Sequence, residues 1–250
     1  MNKENQMETI EATKTTFRIL QVLIDNREPL GVTELASRTD IHKSTVYKHL
    51  YTLRKLGYVE KKNSKYRPSI RFVDFSHHVT EHETMIQPIE SLIDDLADTV
   101  NETAGLVIER NNVAVDVYVT RSQPERDTAS HNRRFLHCSA AGKALLSEWS
   151  PDAVKQYVTS EELPAITNQT LTEHQTLLDE ISRVRDHGFA FDRQEQYQGV
   201  NSVATSVTHP DFSAAVYVSG KPDELSGKRF KDIIPGTLQS TARKVESSFA

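Results

Sequence analysis

Apolar positions between residues 41 and 71 follow a helical period and then a strand-like one. Val46, Leu50, Leu53 and Leu56 fall three or four apart, the spacing that gathers side chains on one helix face. His42, Lys43, Ser44, Thr45, Tyr47, Lys48 and Arg54 are left free of that face. Gly57 is a helix stop, and Tyr58–Lys62 and Lys65–Ser69 read as short strands about the turn Asn63-Ser64. Helix plus hairpin predicts a winged helix. Upstream, a helix from Ile10 to Asp25 carries Phe17, Leu20 and Ile24 on one stripe, with Ile19 and Leu23 beside it. That stripe is wide enough to cover a small core on one side and meet a second subunit on the other. Pro29 lies in the break that follows, and Thr33 is placed to cap a short helix, Thr33–Ser37, with Leu35 and Ala36 inward. Two helices joined by the turn SRTD, the second polar on one face, predict a helix-turn-helix.

Farther along, Phe72, Val73, Phe75 and Val79 predict a linker helix over 73–87, and Pro88 opens another with Ile89, Leu92, Ile93, Leu96 and Val100 at helical spacing. The expected organisation is a frayed start (1–9), a winged helix-turn-helix (10–72), the linker (73–87) and a second domain (88–250). His77, His78 and His82 cluster on the linker with Glu81 and Glu83, and a pair four apart can hold a metal on a helix. No third ligand completes the set, so these residues read as a solvated face and no metal is expected. Thr103–Glu109 and Val113–Thr120 alternate as strands about Asn111-Asn112. The polar stretch 122–134, with arginines at 121, 126, 133 and 134, is either a flap or a plain surface loop. Further helices are predicted from Ser150-Pro151 to Val158 and after a capping box Thr172–Gln175, before Leu177, Leu178, Ile181 and Val184. A last one runs from Pro235, with Leu238, Ala242, Val245 and Phe249 on one face.

Charge sharpens this division. The chain of 250 residues has a formal net charge of −5, yet residues 1–75 hold 14 Lys/Arg against 9 Asp/Glu, leaving 16 against 26 for the remainder. Residues 41–71 alone carry nine Lys/Arg and one acid, Glu60. Such concentration suits a polyanion, because each Lys or Arg near a phosphate displaces a condensed counterion. The single cysteine, Cys138, excludes an intramolecular disulfide and fits a reducing cytoplasm. No run approaches the roughly 18 apolar residues of a membrane helix, and the start lacks a signal-peptide core, so a cytoplasmic protein with no membrane partner is expected.

The stretch FLHCSAAGKALL, residues 135–146, invites three readings. A phosphate-binding P-loop fails, because His137 and Ala144 stand where Gly and Ser or Thr are needed. A Cys138/His137 nucleophile is weak, since adjacent residues project differently and a lone buried thiol is usually inert. Small residues leading into a helix expose backbone N–H groups to a small anion. Close packing of Ala and Gly explains the same residues equally well.

The run TELASRTDIHKSTVYKHLYTLRKLGYVE resembles the winged helix-turn-helix of the IclR family of transcriptional regulators, whose K-S-T-V-x-x-x-L-x-x-L-x-x-x-G pattern stands at Lys43, Ser44, Thr45, Val46, Leu50, Leu53 and Gly57. LHCSAAGKALL is similar to that family's L-H-x-[ST]-x-x-G-K-A-[LF]-L signature. Segments 188–192, 199–204 and 212–220 follow its later G-[YF]-x-x-D, G-x-x-[CS]-[ILV]-A and A-A-[ILV]-S-[ILV]-S-G order. The resemblance spans about residues 12 to 249. It implies an α+β architecture: an N-terminal winged helix-turn-helix and a C-terminal GAF-like antiparallel sheet flanked by helices that binds an effector. It implies DNA contacts by Lys43, Ser44, Thr45, Tyr47, Lys48, Arg54, Lys61, Lys62, Lys65 and Arg67. The effector positions it implies are Ser139, Ala140, Ala141, Asp192, Ser202, Tyr217 and Ser219, with Arg134 added from the arginine-rich stretch. Two positions depart from the family pattern: Ser202 stands where Cys is frequent, and Tyr217 where Ser is frequent, narrowing the cavity.

The function implied is sequence-specific regulation of metabolic genes. The expected partners are a palindromic double-stranded operator, a small anion such as an organic acid or sugar derivative, and further copies of the chain in a dimer or tetramer, with no cofactor. Two other classes compete: an enzyme acting through His137, Cys138 and Asp192, and a winged helix used as a protein-docking surface. The first lacks a triad, metal set or nucleotide loop; the second does not require so dense a basic stretch.

Overall fold

Three helices and a small sheet build the front of the chain around one apolar cluster. In the computed structural model, which describes residues 9–26, 28–75, 87–120, 133–209 and 213–248, the chain divides into two units, within Met1–Glu83 and Thr84–Ala250. In the first, α1 (Glu11–Ile24), α2 (Val32–Thr39) and α3 (Lys43–Lys55) surround Ile19, Leu23, Leu35, Val46 and Leu50, each at most 2% exposed. The helix stripe of α3 is buried at Val46, Leu50 and Leu53, whereas Leu56 just past its end is exposed. Strand β1 (Leu30–Gly31) pairs with β3 (Lys65–Pro68), which pairs with β2 (Val59–Lys62). Asn63 and Ser64 both take positive φ (48° and 64°), as a tight two-residue hairpin turn requires.

Two local expectations need correction. Thr33 does not cap α2: that helix begins at Val32, and the Glu34 carboxylate accepts from the Gly31 N–H at 2.7 Å, so the first-turn acid closes the end instead. The helix also runs to Thr39, and the turn into α3 is made at Asp40, with a left-handed φ of 53°. Residues 71–75 are helical, but 76–86, with His77, His78 and His82, lie outside the described residues, as do 121–132 of the arginine-rich stretch.

The second unit is built on a six-stranded antiparallel sheet in the order β6-β5-β4-β9-β8-β7: β4 (Thr103–Arg110), β5 (Val113–Val119), β6 (Arg133–Phe135), β7 (Ala190–Arg193), β8 (Asn201–Thr208) and β9 (Ser213–Gly220). The β4–β5 turn again places two asparagines, 111 and 112, at positive φ. One sheet face is covered by α4 (Gln87–Val100) and the last helix (Ile234–Ser247), which bury Ile93, Leu96, Leu238 and Val245 against Val203, Val216 and Val218. The other is covered by α5 (Ala140–Ser147), α6 (Pro151–Ser160) and α7 (His174–His187), which pack Leu145, Val158 and Ile181 over Ala204, Ala215 and Tyr217. Alternate residues of each strand therefore face different helix layers. The capping box at Thr172 does not form. Helix α7 starts at His174 behind Glu173, whose carboxylate accepts from Thr176 Oγ1 at 2.9 Å, while Gln175 turns forward to Asp179.

Candidate nucleic-acid interface and ligand site

The face of α3 opposite its buried stripe carries Lys43, Ser44, Tyr47, Lys48 and Arg54 in the open, with Thr45 half-buried. Tyr47 is 52% exposed, and its phenol makes no hydrogen bond among the described residues. His42 caps the helix: its Nδ1 lies 2.8 Å from Ser44 Oγ and accepts from the Ser44 N–H. Tyr51 shares this face, 46% exposed, with the Arg54 and Lys55 cations 5.8 and 5.7 Å from its ring centre. Sequence reasoning passed it over, although it lies four residues after Tyr47.

In the wing, Lys61, Lys62 and Lys65 are exposed, and Lys62 stands directly across from Lys65. Arg67 differs, donating twice to Glu60 Oε2 at 2.8 and 3.0 Å. Arg71 donates to the carbonyl of Leu56 at 2.6 Å and lies over Tyr58, tying the end of the wing to the end of α3. Between them runs a concavity of about 550 Å³ lined by Arg54, Lys61, Lys62, Arg67 and Arg71.

In the second unit, the small-residue turn is the N-terminus of α5. Ser139 caps it, its Oγ accepting from Gly142 N at 2.9 Å and donating to Phe135 O at 2.7 Å. The N–H groups of Ala140 and Ala141 have no acceptor among the described residues. Close packing holds at the same place: a Cβ on Gly142 would lie 2.4 Å from the Cα of Leu136. The packing reading of the turn is thus met at Gly142, while Ala140 and Ala141 keep the two N–H groups that the anion reading needs.

Pairing registers bring Asp192 opposite Ser202, Ser202 opposite Ser219, and Ser219 opposite Thr103, a polar row across four strands on the α5 side. Neither the Ser202 nor the Ser219 hydroxyl has a hydrogen-bond partner among the described residues. Asp192 is 3% exposed; its Oδ1 accepts from Glu195 N at 2.6 Å and from Gln196 N at 3.4 Å. Burial raises its carboxyl to about 7 against the opposing pull of Lys143.

One strand-row inward, Tyr217 is 1% exposed and its ring crosses β4 at Gly105, where a Cβ would come within 2.5 Å of it. Its hydroxyl accepts from Arg134 at 2.7 Å, and Arg134 Nε also donates to Asp116 at 3.1 Å. Arg134 is thus ion-paired before any ligand arrives.

Lys143 was not foreseen. It is fully buried, with Nζ 2.7 and 2.8 Å from the Glu195 oxygens and 3.8 Å from Glu180. The signal available was a lysine inside the apolar run AAGKALL, which must find a counter-charge if that helix is buried. His137 and Cys138 form no nucleophilic pair. His137 Nε2 meets the Pro164 carbonyl at 3.1 Å, and burial, with Asp192 and Glu195 nearby, drives the Cys138 thiol pKa upward and keeps it protonated.

Residues 14–63 match the IclR helix-turn-helix domain and residues 77–247 match the bacterial transcriptional regulator IclR C-terminal domain. The chain is 27% identical over 253 residues to the HTH-type transcriptional regulator KdgR of Escherichia coli (strain K12), covering 98% of this chain and 94% of that one. It shares its fold with an IclR transcriptional regulator from Alicyclobacillus acidocaldarius (TM-score 0.81, 17% identity, 97% of this chain and 100% of the other). An IclR homolog from Microbacterium hydrocarbonoxydans, complexed with 4-hydroxybenzoate, aligns with a TM-score of 0.77 at 15% identity over 95% of this chain and 98% of its own. Among the described residues no helix is long and apolar enough to cross a membrane. With matches in order over both units, the chain belongs to the IclR family: it is a DNA-binding transcription regulator with a C-terminal effector-binding domain, and not an enzyme.

Proposed function

We propose that the first unit reads a palindromic operator as half of a symmetric dimer, and that a small anion bound by the second unit sets its affinity. Ser44, Thr45, Tyr47 and Lys48 meet base edges in the major groove, flanked by Lys43 and Arg54. Lys61, Lys62, Lys65 and Arg67 of the wing hold phosphates or reach the minor groove. The observation that carries this is the exposed basic face of α3 and the wing, where only Arg67 is ion-paired among the described residues, in a chain of net charge −5.

A dimer is supported by α1, on which Phe17 and Ile24, with Ile10 at its N-cap, recur every seven residues and are 66%, 52% and 71% exposed. The effector is an organic acid or sugar-derived anion, held by the N–H groups of Ala140 and Ala141 behind Ser139, with Asp192, Ser202, Tyr217, Ser219 and Arg134 around it. 4-Hydroxybenzoate, bound by the Microbacterium relative, is such a carboxylate. The ligand changes DNA affinity by as much as it distinguishes two arrangements of the dimer. The protein works in the cytoplasm, where its DNA lies.

A gel-shift titration on DNA upstream of its own gene, with and without a panel of carboxylates, tests this. Expected are a preferred fragment over unrelated duplex and a shift of its midpoint by some acid. Equal binding to every duplex at low salt would overturn the operator reading.

A further inference from the structure

The β7–β8 turn holds one more buried polar side chain, Gln196, whose backbone N–H is tied to Asp192 of the polar row. Residues 194–200 fold back beside the row, and three ties hold them. Asp192 Oδ1 takes the N–H groups of Glu195 and Gln196; Thr167 and Thr170 hydroxyls donate to the carbonyls of Gln194 and Glu195 at 2.7 and 2.6 Å; Lys143 binds the Glu195 carboxylate. Within this anchored turn Gln196 is 2% exposed, and its Oε1 is buried with no hydrogen-bond partner. Buried amide oxygens are normally satisfied, and a rigid turn that leaves one bare keeps an acceptor ready for an incoming donor.

The neighbouring nitrogen donors are committed. Lys143 is on Glu195, and the two turn N–H groups are on Asp192. The charge nearby also argues against a second carboxylate here, because Lys143 already faces Glu195 and Glu180, with Asp192 close by. A neutral hydroxyl suits the place, and the bare Ser202 and Ser219 hydroxyls serve the same chemistry. Tyr197, the next residue, lies close enough to Arg134 to feel its charge, so the turn runs from the polar row toward Arg134.

We propose that Gln196 reads the effector, its buried Oε1 accepting a hydrogen bond from a ligand hydroxyl, so that the effector is a hydroxylated acid rather than a simple carboxylate. This rests on the anion reading above. The test uses the full chain, isothermal calorimetry and thermal shift, with matched probes: lactate against propionate, gluconate against hexanoate, and 4-hydroxybenzoate against benzoate. At least one hydroxylated acid binds the native chain about tenfold or more tighter than its partner, the scale of one hydrogen bond. Gln196→Leu and the length-conserving Gln196→Met erase that preference without lowering the melting temperature of the free protein, since each removes an unsatisfied acceptor. A purely structural glutamine would instead lower it. Acids that bind regardless of their hydroxyls, or a preference that survives both substitutions, overturn the role of Gln196 and leave the anion reading standing. Failure of every acid to bind overturns both.

Discussion

The wing tip offers the most direct measurement of DNA contact. Lys62 and Lys65 are exposed, without an ion pair among the described residues, and directly opposite one another across β2 and β3, whereas Arg67, two residues on, is held by Glu60. Each lysine that neutralises a phosphate contributes about 0.9 to the slope of log affinity against log salt. Lys62→Ala therefore flattens that slope by about 0.9, so that the native chain's advantage over the variant shrinks by about 3.5-fold between roughly 50 and 200 mM salt. Lys62→Ala with Lys65→Ala flattens it by about 1.8, a factor of about 12 over the same range. Arg67→Ala changes it less, because contact by Arg67 first requires giving up Glu60. Fluorescence anisotropy on an operator fragment and on unrelated duplex, at several salt concentrations, reads all three. The loss at Lys62 should be equal on both duplexes, since a phosphate carries no sequence. Folding does not confound the result: like charges directly opposite on a hairpin are mildly destabilising, so the alanine variant melts no lower than the native chain. An unchanged slope for the double variant would mean that the wing stays off the phosphates.

Two further predictions concern the buried charges of the second unit. Burial raises Asp192 to about 7, above its unfolded value near 4, so its contribution to stability is present below about pH 4 and lost as pH rises through about 7. Asp192→Asn, which cannot ionise, melts close to the native chain at the acid end and above it beyond pH 7, by up to about 4 kcal/mol for a shift of about three units. A gap that stays constant across a pH series of melting curves contradicts this. Lys143→Ala leaves Glu195 buried beside Asp192 and Glu180 without its cation and costs about 3–5 kcal/mol in denaturant unfolding, whereas Lys143→Met combined with Glu195→Gln regains most of it. If the double substitution is no better than the single one, the lysine acts through something other than its charge.

How far the sequence could be read depended on whether a feature was local. The α3 stripe, the Asn63-Ser64 and Asn111-Asn112 turns and the Ser150 cap were all legible, because period, left-handed turn residues and caps depend on neighbours a few positions away. Capping failed where two chemistries competed for one end. Thr33 lost to Gly31 and Glu34, and Thr172 to a helix that starts two residues later. The Lys143–Glu195 pair joins residues 52 positions apart, and the polar row Asp192, Ser202, Ser219, Thr103 exists only through strand register. Motif resemblance named three of those four, yet no local rule said that they stand side by side.

Tyr217 makes the same point from the other direction. The sequence showed a bulky phenol where a small hydroxyl is frequent, and narrowing of the cavity was the expected consequence. What it could not show is that Gly105, on the neighbouring strand, provides the room: the ring occupies the space that any side chain there would need. Glycine inside a central strand is otherwise a cost, which points to a close approach of this kind. The ring then delivers its hydroxyl to Arg134, whose guanidinium is already balanced by Asp116. An arginine so engaged offers an incoming anion little uncompensated charge, and burial keeps the phenol neutral. On the proposed site, the attraction for a carboxylate then comes mainly from the N–H groups at the start of α5, with Arg134 and Tyr217 as its wall. If that site holds the effector, shape and hydroxyl placement decide among acids more than charge does.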